Sequence, residues 1–172
     1  MVTEPHFQLT TRDHAILQAM LERHGGPHDA FVSLLERKVR ESTLYFRDDI
    51  PPNVVTLNTR LVYLLDRTQC GPQTIVQEAA AEKPGMLSLR TVRGLALLGL
   101  AEGAVFRVET GEGSAELLQV HEILSQPEAQ ARAAARREHN VVSFRPRRAT
   151  PVAGPGPGVD FDPDDDPGPS AA

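Results

Sequence analysis

The sequence predicts an α+β protein in three parts. Residues 1–49 read as a lead-in, a short antiparallel helical hairpin and a connector, residues 50–130 as a β-sheet domain with one helix, and residues 131–172 as a disordered tail. Three observations predict this. Apolar residues recur at helical spacing twice near the N-terminus, on either side of Gly25-Gly26-Pro27. From Val54 onward the chain turns β-branched, with short runs separated by Gly and Pro. From Pro151 on, nearly every residue is Pro, Gly, Ala or Asp, which supplies too little apolar surface to offset the entropy of ordering.

Met1 to Leu9 reads as a loose lead-in. Thr10 followed by Asp13 fits a helix start, the hydroxyl accepting an orphan amide and the acid sitting in the positive first turn. Ile16, Leu17, Met20 and Leu21 then line one side, and Gly25-Gly26-Pro27 stops the helix. A second helix is predicted from Asp29 as its cap to about Thr43, with Phe31, Leu34, Leu35 and Val39 as its apolar stripe. Glu36, Arg37, Lys38, Arg40 and Glu41 are read as its solvated face. So short a turn makes the two helices antiparallel. At 1.5 Å per residue the first is only about 20 Å long, so the hairpin must lean on other structure.

Beyond the Leu44–Pro52 connector, residues 54–65 read as a strand with a bend at Asn58, and residues 73–77 as a second strand after a Cys70-Gly71-Pro72 turn. Ser88 is the expected cap of a helix near Leu89–Leu98, closed by Gly99. Residues 104–109 and 116–123 form a hairpin about Thr110-Gly111-Glu112-Gly113. Four strands with a helix inserted before the last pair make a sheet with a helix on one face.

The formal net charge is −5, and its distribution matters more than its size. Arg132, Arg136, Arg137, Arg145, Arg147 and Arg148 face a single acid, Glu138, and are followed by Asp160, Asp162, Asp164, Asp165 and Asp166. The two blocks cancel, so the rest of the chain is acidic, which argues against direct sequence-specific nucleic-acid binding. The arginine block suits phosphate, an acidic protein face, or plain solvation. Cys70 is the sole cysteine, which excludes an internal disulfide and a paired-cysteine metal site. With no apolar run of membrane-spanning length and no leader pattern, the expected location is the cytoplasm.

No catalytic signature is present: there is no GxSxG, Walker loop or HExxH. No catalytic residue, metal or cofactor is therefore assigned. His24 and His28 are separated by Gly-Gly-Pro, so they share no helical face, and no fourth ligand joins them and Asp29. His14 and His121 read as surface histidines. With no Trp, and mainly Tyr63 and Phe106 in the sheet domain, an aromatic peptide pocket or base-stacking platform is disfavoured.

Two stretches carry a resemblance. Ile50-Pro51-Pro52-Asn53-Val54-Val55-Thr56-Leu57-Asn58-Thr59-Arg60 is similar to the start of the C-terminal domain of the Rnk-like nucleoside diphosphate kinase regulators, within the GreA/GreB transcription elongation factor family. Leu87-Ser88-Leu89-Arg90-Thr91-Val92-Arg93-Gly94-Leu95-Ala96-Leu97-Leu98-Gly99-Leu100 resembles that family's signature, in which a Ser-Pro pair leads into Leu-Gly-x-Ala-Leu-Leu-Gly. The turn from Thr110 to Gly113 and Gln126-Pro127-Glu128-Ala129 complete the match, which runs from about Leu9 to Ala129. Thr91-Val92 stands where the family has Ser-Pro, Arg93 where it has an apolar residue, and Gly103-Ala104 where it has Gly-Asp.

The resemblance implies an FKBP-like C-terminal domain and a coiled-coil N-terminal hairpin. It implies binding to bacterial RNA polymerase at the secondary channel, with Ser88, Leu89, Thr91, Val92, Arg93, Gly94 and Leu97 on the channel rim. In Gre factors a long hairpin carries two acids at its tip that help hold a catalytic magnesium for transcript cleavage. Here the tip is short and offers Glu22, His24, His28 and Asp29, of which Asp29 is a helix cap. The expected protein is thus a non-enzymatic regulator that competes with Gre-type factors and stimulates no cleavage. Two alternatives stay open: a prolyl isomerase, suggested by the FKBP-like fold alone, and an adaptor acting through the tail around Val141-Val142-Ser143-Phe144.

Overall fold

The structure is a computed structural model that describes residues 5–78, 83–111 and 113–140. Two short helices come first, α1 (Thr11–Glu22) and α2 (Ala30–Glu41), flanked by strands β1 (Gln8–Thr10) and β2 (Thr43–Tyr45). Both helices start as the sequence indicates. Thr10 Oγ1 accepts from the Asp13 amide at 3.0 Å, and Asp29 Oδ1 accepts from the Val32 amide at 2.9 Å.

The lead-in is not loose. Its residues 8–10 pair in parallel with β2, and Phe7 and Leu9 are buried. Phe7 meets Phe106 edge-on, with ring centroids 5.5 Å apart. This pairing joins residues some 35 positions apart through a closed helical hairpin, a non-local contact that no local signal announces.

The main sheet has five strands in the order β5-β4-β3-β7-β6. They are β3 (Arg60–Leu65), β4 (Thr68–Val76), β5 (Met86–Ser88), β6 (Val105–Gly111) and β7 (Ser114–Ser125). All neighbours are antiparallel except β4 and β5. Residues 54–59, expected as strand, are irregular: Asn58 takes a positive φ of 65°, the expected bend, and the strand proper begins at Arg60. The turn between β3 and β4 falls at Asp66 and Arg67, both at positive φ, not at Cys70-Gly71-Pro72. Those three residues lie inside β4, where Gly71–Pro72 is cis. The β6–β7 hairpin forms where expected, although Glu112 lies outside the described residues.

Helix α3 (Val92–Leu97) is shorter than expected, and its cap is Thr91, not Ser88. Ser88 is taken up by β5, and its carbonyl accepts from both the Thr91 amide and the Thr91 hydroxyl, the latter at 2.7 Å. Thr91 Oγ1 in turn accepts from the Gly94 amide at 3.1 Å. Thr91→Val keeps the side-chain shape and removes both bonds, so it is expected to cost about 1–2 kcal/mol in urea unfolding.

A fourth helix, α4 (Pro127–Asn140), corrects the predicted tail boundary. Residues 131–140, read as disordered, continue this helix; the later tail lies outside the described residues. Pro127 suits the first helical position, and the alanines and arginines that follow are strong helix formers. Its first turn is anchored, since Thr56 Oγ1 donates to the buried Glu128 carboxylate at 2.6 Å.

A single hydrophobic core crosses the boundary placed between residues 49 and 50. Leu17, Leu34 and Leu35 of the hairpin join Leu61, Ile75, Leu95, Leu97, Phe106 and Leu118 of the sheet and α3. This is the support that so short a hairpin requires. Lys38, predicted on the solvated face, lies wholly inside at 0 % exposure. Its Nζ donates to the Ala96 carbonyl at 3.0 Å and to the Leu98 carbonyl, and sits 4.2 Å from the centre of the Phe7 ring. Asp13 is also buried; its carboxylate accepts from the Leu57 amide at 3.3 Å. Desolvation, with Glu128 adding repulsion, pushes the Asp13 carboxyl up.

Candidate functional site

The two sets of residues singled out in the sequence are the hairpin tip and the segment from Ser88 to Leu97. The fold brings them together. Helices of 12 residues each span about 18 Å, and because the hairpin lies against the sheet, its tip reaches the end of β4 and the start of α3. A cavity of about 400 Å³ opens there, lined by His24 and Asp29 from the tip and by Arg90 and Val92 from the other segment.

At the tip, Glu22, His24, His28 and Asp29 are all exposed, but they do not converge as paired acids. Glu22 accepts from the Gln18 side chain at 3.2 Å, along its own helix. Asp29 is committed to capping α2. His28 donates to Glu36 at 3.1 Å, and His24 packs toward the Phe31 ring. Among the described residues no cluster of three or more His, Cys, Asp or Glu side chains is placed to hold a metal ion. His14 departs from its reading as a surface group: it is half-buried and bonds the Val39 carbonyl at 2.9 Å, tying α1 to α2.

The segment from 88 to 97 divides by burial. Leu89, Gly94 and Leu97 are buried and belong to the core, so the apolar side of α3 has no surface to offer a partner. What remains outside is Arg90 and Thr91, exposed, with Ser88, Val92 and Arg93 half-buried. Arg93 forms a two-point pair with Glu116 on β7, at 2.7 and 2.6 Å. That fork, standing where the resembling family has an apolar residue, clamps α3 to the sheet and holds the Glu116 carboxyl below its usual range.

Two signature glycines have physical reasons. A Cβ on Gly94 would meet the Ser88 carbonyl oxygen at 2.0 Å. Gly99 has a φ of +81°, and a Cβ there would lie 2.9 Å from the Gln8 carbonyl oxygen of β1. These two glycines therefore allow close backbone approach around α3, and Gly99 lets the chain after the helix lie against the N-terminal strand.

Two further features were missed in the sequence. Phe46 is 72 % exposed beside Arg47, whose carbonyl accepts from Arg132 of α4 at 3.3 Å. Arg47, Arg132 and Arg136 then share a groove with Asp48. The arginines were legible as a charge block, but their partner surface depends on α4 being a helix.

Among the described residues no helix is long and apolar enough to cross a membrane. No protein-family model matches the chain, and no curated protein sequence matches it. Solved structures do. The prokaryotic transcription elongation factor GreA/GreB from Nitrosomonas europaea is similar at a TM-score of 0.54 with 23 % identity, covering 70 % of this chain and 98 % of that one. The transcription factor Gfh1 matches at a TM-score of 0.35 with 16 % identity, over 72 % of this chain and 100 % of that one. The Thermus aquaticus Gfh1 matches at 0.34 with 16 % identity, over 69 % and 98 %. The first is enough for the architecture: the chain has a mixed α+β fold of the GreA/GreB type.

Proposed function

We infer that this chain is a regulator of bacterial RNA polymerase that binds at the secondary channel, competes with Gre-type factors and stimulates no transcript cleavage. The likeness to a GreA/GreB elongation factor supports the polymerase as target. The sheet domain is read as FKBP-like and as the part that grips the channel rim, and the Rnk-like branch is the assignment that suits so short a hairpin. Residues 50–130 thus supply the docking surface and residues 1–49 the hairpin.

One observation carries the non-cleaving half of this reading. The hairpin lies against the body with its tip beside Arg90 and Val92, so it adds little reach toward a distant active site. Its tip acids are also occupied, Asp29 by a helix amide and Glu22 by Gln18. Neither is poised to share a metal ion. The protein is accordingly read as non-enzymatic.

A pull-down with bacterial core RNA polymerase tests the target. Binding at micromolar concentration is expected, and a chain ending after Asn140 should bind as well as the full chain. Val92→Asp should weaken binding about tenfold. An acid suits the first turn of α3, so that variant should stay folded. Absence of binding at micromolar concentration would end the reading. Loss of binding only on removal of the tail would favour an adaptor acting through it.

A further inference from the structure

The cleft between the hairpin tip and the sheet has a second property, independent of any polymerase. Its floor is apolar: Ile16 and Met20 from α1, Phe31 from α2 and Val92 from α3 line it, each half-buried and packed against the core. Its volume, about 400 Å³, falls in the range of small-molecule sites, which combine apolar walls with a few placed polar groups.

The charges at the rim are unequal in their commitments. Arg90 is paired with Glu78 at 2.7 Å, and the Asp29 carboxylate is taken by the start of α2. Arg23, at the end of α1, pairs with no acid among the described residues. One uncommitted cation thus stands beside an apolar floor. A ligand carrying several negative charges would meet Glu78 and Asp29 as well, so the arrangement suits one anionic group and no more.

We propose that this cleft binds a small amphiphilic anion: an apolar ring or short acyl body on the Ile16–Met20–Phe31–Val92 floor, with a single carboxylate or sulfonate head against Arg23. The guanidinium supplies a charge-assisted hydrogen bond, and the floor supplies most of the affinity by removing apolar surface from water. Because the walls come from both the hairpin and the sheet domain, such a ligand also bridges the two parts of the core.

The full chain titrated with 8-anilinonaphthalene-1-sulfonate gives a direct test. The expected result is saturable binding of one dye per chain. Met20→Trp, which fills the floor, should weaken it at least about tenfold. Ala19→Leu, on the same wall, serves if the tryptophan variant loses its thermal unfolding transition. Arg23→Gln should weaken the sulfonate dye about tenfold and leave its neutral analogue N-phenyl-1-naphthylamine unchanged. No saturable binding, or binding untouched by a folded floor variant, would overturn the proposal. So would an equal loss of both dyes in Arg23→Gln. Polymerase binding is not measured here, so neither reading's failure can be mistaken for the other's.

Discussion

Gly94→Ala is expected to destabilise the protein by at least about 3 kcal/mol, measured by urea unfolding. The added Cβ would lie 2.0 Å from the Ser88 carbonyl oxygen and 2.7 Å from its carbonyl carbon. Both are backbone atoms, so neither can swing aside. That carbonyl is pinned from the other side by the Thr91 amide and hydroxyl. Relief therefore requires α3 to move off β5, and α3 carries Leu95, Ala96 and Leu97 into the core. Gly25→Ala is the control. Nothing lies within 4 Å of a Cβ at that position, so its effect should stay within about 0.5 kcal/mol.

Lys38→Ala is expected to cost about 3–5 kcal/mol, and Lys38→Met about half of that. Lys38 joins the hairpin to α3 by donating to the Ala96 and Leu98 carbonyls, groups that the end of a short helix leaves unpaired. Alanine loses those bonds and leaves a cavity, whereas methionine keeps the packing of the stem. Burial drives the Lys38 amine well below the usual lysine range, with the neighbouring Arg37 adding to the shift. A depressed lysine means that the unfolded chain binds the extra proton more readily. Stability should therefore rise with pH between the folded and unfolded values. The neutral amine still has two N–H groups for two carbonyls, so deprotonation forfeits neither bond. The parent should gain on Lys38→Met in urea midpoints as pH rises across the window below about pH 9.5, short of the ordinary lysine value of about 10.4. Tyr63, whose hydroxyl is shifted upward by burial, titrates above that window.

The same lysine shows where sequence reading succeeded and where it stopped. The hairpin was legible from its stripes and caps. Yet the buried face of α2 runs Leu34, Leu35, Lys38, and position 38 lies four residues after 34 and three after 35. Spacing alone would have turned it inward; residue type turned it out, because burial of a lysine depends on carbonyls nearly sixty residues away. Phe7 and Leu9 were missed for a similar reason. Their alternation with Gln8 is too short to announce a strand, and their partners at residues 43–45 lie beyond two helices.

In α3, Ser88 and Thr91 both fit a cap. The choice between them is made by the pairing of residues 86–88 with β4, which no local pattern reveals. The candidate surface was half legible. The signature segment was found, but Leu89, Gly94 and Leu97 proved to be its structural reason, leaving Arg90, Thr91 and Val92 outside. That the tip would meet this segment follows only from the hairpin lying against the sheet.

Transcript cleavage in backtracked polymerase complexes tests the central claim most directly. The chain alone should leave the cleavage rate at its intrinsic value. Added to a Gre-type factor, it should suppress that factor's stimulation in a dose-dependent way that excess factor restores. Stimulation of cleavage by the chain itself, lost on Glu22→Gln or Asp29→Asn, would contradict the account.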